Sequence, residues 1–512
     1  MRRLIPAALG AVALAALSLA PAGAASAGSA DPRPVRGPDG TVSVATDATD
    51  PLACSRPNQK PGASAPWVHC YTPNQIREFY GLSDLTPDTT DGAGQTIVLV
   101  DSYGSPTAAE DAQHFATTFG GPTPDVTSVF PLGEPGYQDP PGAGNGHSGP
   151  TAAAGWAGEA NLDVQWAYAI APRAHIVLLA TPPAETQGVQ GLPNLMHAID
   201  WAIATYPAGT VFSMSFGTDE TEFAGSSVRQ QFARFDQTFQ RGLAKHDTFF
   251  SSSGDDGSLG SSRAHGQTQP VDHPVVSYPN VSPYVTSVGG TQVQSGWTWN
   301  PQEDVPFTSA GGYNPAYFGW TQGGSSEAVW NESWLPSATG GGRSSVYPRP
   351  DFQDGVQSVV GDHRGVPDLA WNAAVNGGVL TWMSYYPTAN GPARWGVFGG
   401  TSASSPQVAG LTAIANQARA AVGKDGIGNL DEVIYGSGFD RSTAFSDIVP
   451  QTYGTAPSGV LQDNRMWDYL GDGVAVAPDA VEGLPTTTGY DLTTGWGSPK
   501  AASYVSQLAA AP

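Results

Sequence analysis

The chain has 512 residues, of which 40% are hydrophobic and only 13% charged, with 64 Gly and 44 Pro. Its 14 Trp, 18 Tyr and 18 Phe demand an interior, which separates it from disordered sequences of similar loop content. A net charge of −23 excludes nucleic acid and anionic membrane as natural partners, because both require basic surface.

In chain order, Arg2 and Arg3, the apolar run Leu4 to Ala20 and the small residues Ala22-Gly23-Ala24 or Ala25-Ser26-Ala27 form a signal-peptide pattern over residues 1–27. No later segment reaches about eighteen continuous apolar residues, so a secreted, extracellular, soluble protein is expected, with no membrane contact after signal removal. Residues 28–70 are rich in Pro, Gly, Ser and Asp and read as an extended arm. Export favours a disulfide between Cys54 and Cys70, two free thiols being the alternative.

Ordered sequence begins at Tyr71-Thr72-Pro73, where Thr72 suits a helix cap and Pro73 the first helical position, with the helix running to Tyr80. A βα rhythm follows. Strands are predicted at Thr96 to Val100, Ala174 to Ala180, Thr210 to Ser215 and Thr248 to Ser252. Helices are predicted at Ala108 to Phe119, Thr151 to Ile170, Leu195 to Tyr206 and Ser226 to Lys245. The last spaces Val228, Phe232, Phe235, Phe239 and Leu243 by three and four, as one buried face requires. Residues 260–395 read as loop-rich with hairpin-like pieces such as Val379 to Tyr386, and residues 424–512 as a C-terminal extension. Apolar strands that do not alternate, joined by helices, imply an α/β fold: a doubly wound, mostly parallel sheet with helices on both faces. Sites in such sheets form beyond the C-terminal strand ends, where Asp101, Ser215, Asp255 and Ser402 all fall.

Gly399-Gly400-Thr401-Ser402 joins a predicted strand, Arg394 to Phe398, to a helical pattern ending near Val422. Such a turn can expose one side chain where the helix N-terminus favours negative charge, which suits Ser402 as a nucleophile. The plainer reading is that Ser402 or Ser404 caps a buried helix. A serine needs a base. His147 sits in the loop Gly146-His147-Ser148-Gly149-Pro150 and reads as a surface histidine. Glu159 and Asp163 lie four apart on one helical face; they form either a solvated acidic face or, in this Ala- and Trp-rich helix, a buried carboxyl pair that shares a proton and works in acid. Asp255, in Ser252-Ser253-Gly254-Asp255, is a turn former or a protonated acid that donates to an oxyanion.

Taken in order, Gly158-Glu159-x-x-Leu162-Asp163, Ser252-Ser253-Gly254-Asp255 and Gly399-Gly400-Thr401-Ser402-x-x-x-Pro406 resemble the sedolisins, the serine-carboxyl peptidases. Lesser matches are Tyr71-Thr72-Pro73, Tyr80-Gly81-Leu82, Val288-Gly289-Gly290-Thr291, Pro367-Asp368 and Thr494-Gly495-Trp496-Gly497, so the resemblance spans residues 71–505. It implies a subtilisin-like fold over residues 71–512 and a monomeric, acid-active serine endopeptidase or exopeptidase acting on proteins or peptides. By the same resemblance Ser402 is the nucleophile, Glu159 the general base and then acid, Asp163 its orienting partner and Asp255 the oxyanion stabiliser. It further implies one structural Ca²⁺ held by Asp447, the Ile448 carbonyl, Thr487, the Gly489 carbonyl and Asp491. Thr487 stands where the family often has glycine, and the segment from Ile448 to Thr487 is long for the family. Ser215-Phe216-Gly217 and Gly340-Gly341-Gly342 are expected to line the cleft and pair with substrate backbone. About 45 residues separate the signal pattern from Tyr71, too few for the family's folded prodomain. The chain is therefore expected to fold without one, to receive one from a partner, or to have altered activity. Two other functions fit the residues: a His-dependent hydrolase using Asp101, His147 and Ser402, and a peptide- or glycan-binding protein on an inactive peptidase scaffold.

Overall fold

A computed structural model describes residues 70–85, 90–135, 150–182, 185–223, 227–264, 267–299, 320–332, 337–385, 394–451, 461–466 and 481–512, with two short strands at 34–36 and 42–45. The signal pattern, Cys54 and His147 lie outside the described residues.

The elements that build the site, in chain order, are β1 (Pro34–Arg36), β2 (Val42–Ala45), β3 (Cys70–Tyr71), α1 (Pro73–Phe79), β4 (Thr96–Ser102), α2 (Ala108–Phe119), β5 (Asp125–Val129), α3 (Pro150–Ile170), β6 (His175–Thr181), α4 (Leu192–Thr205), β7 (Val211–Met214), α5 (Val228–Leu243) and β8 (Thr248–Ser252). They continue with β9 (Thr286–Trp299), β10 (Trp320–Val329), β11 (Leu369–Asn372), β12 (Gly378–Met383), β13 (Arg394–Phe398), α6 (Thr401–Ala420) and α7 (Ala501–Ala510). The main sheet runs β10-β9-β8-β7-β4-β6-β5, with β11 also paired to β9. All its ladders are parallel except β9 with β10. This is the α/β architecture that the apolar, non-alternating strands predicted. Every residue of β7 and β8 is buried, as is all of β4 after Thr96, because helices cover both faces.

Two predictions of element content need correction. The stretch read as loop-rich contains β9, a 14-residue strand of the main sheet, and β11 beside it. Gly289 and Gly290 hid it, since glycine carries no β signal. The expected arm supplies β1 and β2, and β2 pairs antiparallel with β13, the strand that leads into Ser402.

The predicted buried face of α5 is present: Phe232 and Phe239 are fully covered, with Val228, Phe235 and Leu243 packed beside them. On α1, the Gln75 side chain reaches back to accept from the Thr72 N–H at 2.9 Å, a capping arrangement. Pro367-Asp368 marks a fully buried ion network. Arg364 donates to both oxygens of Asp368 at 2.6 and 2.5 Å and to Asp431 at 3.2 Å. Asp368 also accepts from the Ser287 N–H at 2.8 Å, which fastens β9 to the C-terminal region.

Removing one member of a buried ion pair strands the other, at a cost of about 3–5 kcal/mol. Asp368→Ala is therefore expected to lower unfolding free energy by about that amount in urea titration; a change under about 1 kcal/mol would show that Arg364 finds other partners.

Candidate active site

The strands β4, β7 and β8 are adjacent and parallel, so Asp101, Ser215 and Asp255 emerge at the same edge of the sheet. Asp101 is buried in the last turn of β4, its backbone registered with Ala180.

Ser402 reaches that edge through the Gly399-Gly400 turn. Gly400 adopts φ 105°, which glycine accommodates at little cost, and its N–H donates to the Ala373 carbonyl at 2.7 Å. A Cβ at Gly399 would lie 2.5 Å from the same carbonyl oxygen. Helix α6 then starts at Thr401. Ser404 donates to the carbonyls of Trp371 and Asn372 at 3.0 and 3.2 Å, and Ser405 shares a 2.8 Å hydrogen bond with Ser213 on β7. These two serines are committed to the framework, whereas Ser402, 4% exposed, lines an open cleft. Neither Ser402 nor Ser404 caps the helix. The group at its end is the Asp255 carboxylate, whose Oδ1 accepts from the Thr401 N–H at 2.7 Å and from the Thr401 hydroxyl at 2.9 Å. Thr401 Oγ1 in turn accepts from the Gly254 N–H at 3.1 Å.

Asp255 is 6% exposed and lines the same cleft. Its backbone is fixed from the far side, where its carbonyl accepts from the Ala338 N–H at 2.9 Å and the Ser337 hydroxyl at 3.0 Å. Gly340 also lines the cleft, but its N–H donates to the Gly254 carbonyl at 2.7 Å and its carbonyl accepts from the Ser253 hydroxyl at 2.8 Å. A Cβ there would lie 2.1 Å from the Ser253 oxygen, so this glycine serves the contact between two chain segments. The expected pairing of Gly340 with substrate backbone is thus taken up inside the fold. Ser215, Phe216 and Gly217 line the cleft as expected.

Glu159 and Asp163 sit one turn apart on α3, and both are fully buried. The solvated acidic face is therefore not what this helix presents; Trp156, Leu162, Val164 and Trp166 are buried around it as well. Asp163 Oδ2 accepts from the Ser215 hydroxyl at 2.8 Å, which links the helix carboxyl to the cleft wall. Glu159 is not among the residues lining the cleft, but its helix packs directly on α6. The structure thus gathers Ser402, Asp255 and Ser215 around one cleft and attaches Asp163 to it. Sequence reasoning missed Thr401 as the partner of Asp255, although it stands inside the Gly-Gly-Thr-Ser motif.

The five residues expected to hold a metal come from two loops lying side by side. Gly489 donates its N–H to Asp447 Oδ2 at 3.0 Å, and Thr487 donates to Asp491 Oδ2 at 2.8 Å. The other Asp491 oxygen accepts from the N–H and hydroxyl groups of Thr493 and Thr494. Among the described residues no group of three or more His, Cys, Asp or Glu converges. Two carboxylates with backbone carbonyls remain, a hard oxygen set of the kind Ca²⁺ takes.

Comparison with known proteins places the fold. The sequence pattern of the subtilase family matches residues 128–425, and the chain belongs to that family. Within it, this is a sedolisin-family protein with a subtilisin-like fold. Kumamolisin of Bacillus sp. (strain MN-32) is 29% identical over 371 residues, covering 71% of this chain and 55% of kumamolisin. Aorsin of Aspergillus oryzae (strain ATCC 42149 / RIB 40) is 26% identical over 481 residues, covering 84% of this chain and 63% of aorsin. The chain thus spans little more than half the length of these relatives. Among solved structures, Pseudomonas sedolisin, a serine-carboxyl proteinase complexed with pseudo-iodotyrostatin, superposes with a TM-score of 0.59 at 23% identity, covering 87% of this chain and 99% of that one.

Burial raises several carboxyls above their ordinary range, among them Asp219 on the cleft wall to about 6, Asp236 to about 6 and Asp247 to about 7. Their unfolded values lie near 3.9. Since the folded-state values are the higher ones, each group favours folding fully below about pH 4, and that contribution is lost as pH rises towards about 7. Thermal denaturation should therefore have a higher midpoint at pH 4.5 than at pH 7.5, with Asp236→Asn narrowing the difference. Equal midpoints in both buffers would contradict this.

Proposed function

We propose that the chain is a secreted, monomeric serine-carboxyl peptidase that cuts proteins or peptides in acid through an acyl-enzyme on Ser402. The observation that carries the reading is the Asp255–Thr401 clasp, which sets a carboxyl and a helix N-terminus beside Ser402 in one cleft. In this mechanism Glu159 takes the Ser402 proton as Oγ attacks the scissile carbonyl. Asp163, held by Ser215, orients Glu159. Thr401 engages Asp255 Oδ1, so Oδ2 is the oxygen that carries a proton in acid and donates it in a hydrogen bond to the developing oxyanion. The positive end of α6 adds to that stabilisation. Glu159 then protonates the leaving amine, and water, activated by Glu159, attacks the ester to release the acid and restore Ser402. The proposed mode is cleavage within chains, as an endopeptidase.

The signal pattern supports secretion, and with it a Cys54–Cys70 disulfide that ties the arm to β3. One Ca²⁺ at Asp447, Ile448, Thr487, Gly489 and Asp491 would neutralise the two carboxylates and lock the C-terminal loops.

A pH–rate profile from pH 2 to 8 on denatured protein tests the reading. Activity should peak in acid, and Ser402→Ala and Glu159→Gln should each lose about a thousandfold or more in kcat. An optimum above pH 7, or an active Ser402→Ala, would reject it. For the metal, chelation should lower the denaturation midpoint of the wild type and added Ca²⁺ restore it, while Asp491→Ala should be insensitive to both. A wild type indifferent to chelation would reject the site.

A further inference from the structure

Pro406 stands inside α6, four residues after Ser402. Proline has no N–H, so the Ser402 carbonyl receives no donor from the next helical turn. The helix is therefore loosened at the residue whose position matters most. Two side chains brace that turn from outside the cleft. Gln407 Nε2 donates to the Ala403 carbonyl at 2.6 Å, and Gln407 Oε1 accepts from the Trp371 indole N–H at 3.0 Å. Both residues are fully buried, and neither lines the cleft. Trp371 thus meets α6 twice, through its indole and through the backbone carbonyl that takes the Ser404 hydroxyl.

The indole N–H is a donor only, so it fixes which end of the Gln407 amide faces it. The oxygen turns to Trp371, and the NH₂ group is left for Ala403. Without that donor the amide has two orientations open to it, of which only one holds the carbonyl beside Ser402.

Trp371 is itself well anchored. Its backbone pairs with Gly290 of β9. Its ring stacks on Tyr80, with centroids 3.5 Å apart and planes at 19°. The Tyr80 hydroxyl donates to Glu327 Oε1 at 2.7 Å and accepts from the Asn372 N–H at 2.9 Å. Glu327 also accepts from the hydroxyls of Thr291 and Ser498. The main sheet therefore reaches the residue after Ser402 through an aromatic stack and two hydrogen bonds. This hold is independent of the Asp255 clasp on Thr401.

We propose that Trp371 and Gln407 are positioning residues for Ser402: the indole N–H orients the Gln407 amide, which holds the Ala403 carbonyl and with it the turn that carries the nucleophile. The assignment rests on the peptidase reading for its effect on turnover, while the brace itself can be measured with no substrate present.

Trp371→Phe tests it, because it keeps an aromatic ring against Tyr80 and removes only the indole donor. Its kcat on a peptide substrate should fall about tenfold or more, with KM changed less than about twofold. Deuterium uptake by the peptide spanning residues 399–407 should become at least about fivefold faster. Gln407→Leu, which keeps Trp371, should show both effects. The double variant should lose little more than the worse single one, because the two side chains act as one unit. The same Trp-to-Phe exchange at Trp201, exposed on α4, is the control and should change neither readout. Unchanged uptake over residues 399–407 in both single variants overturns the brace. Faster uptake with kcat unchanged leaves Trp371 a structural role alone and overturns the positioning assignment. No turnover by the wild type, with uptake still faster in Trp371→Phe, overturns the peptidase reading and leaves the brace.

Discussion

The site depends on one interaction, the double hydrogen bond from Thr401 to Asp255. It joins the end of β8 to the start of α6, two segments almost 150 positions apart in sequence. An aspartate oxygen that accepts at a helix N-terminus acts as a cap, worth about 0.5–2 kcal/mol. Its geometric effect matters more. With Thr401 fixed on one side and Ser404 and Ser405 tied to β11 and β7 on the other, Ser402 is left at the cleft with little room to move. Such restraint on both flanks is what positioned nucleophiles require.

The second constraint is close helix packing. A Cβ at Gly410 of α6 would lie 2.9 Å from the Ile170 Cβ and 3.2 Å from the Ala167 carbonyl oxygen of α3. Small residues therefore bring the helix of Ser402 and the helix of Glu159 and Asp163 together. Full burial of these two carboxyls is tolerable only where polar groups meet them, as Ser215 meets Asp163. The rest of the chain shares that acidic character. Buried carboxyls such as Asp236 and Asp247 are more at ease protonated, so the fold and the proposed chemistry favour the same pH range.

Much of this was legible in the sequence because burial on both faces writes long apolar runs. Thr248–Ser252 matches its predicted limits for that reason, and Ala108–Phe119 matches because its buried residues recur at helical spacing. Asp125–Val129 left no such mark, since it is an edge strand, partly exposed, with polar residues at alternate places. The motif around Ser402 made it the candidate nucleophile, and the structure adds that the hydroxyls of Ser404 and Ser405 are used internally. Contacts between distant segments carry no local signal, as with Ser215 and Asp163. Glycine triplets read as a substrate-pairing surface, whereas Gly340 serves a contact of the chain with itself.

The central claim is that Ser402 forms an ester with the acyl half of its substrate, with a carboxyl group removing its proton. Acid quenching of the enzyme with an activated peptide ester, followed by peptide mapping in a mass spectrometer, tests that directly. The account predicts an acyl adduct on Ser402 in the wild type and none within the same interval in Glu159→Gln. An adduct on another residue, or an equal yield of Ser402 ester in Glu159→Gln, would contradict it.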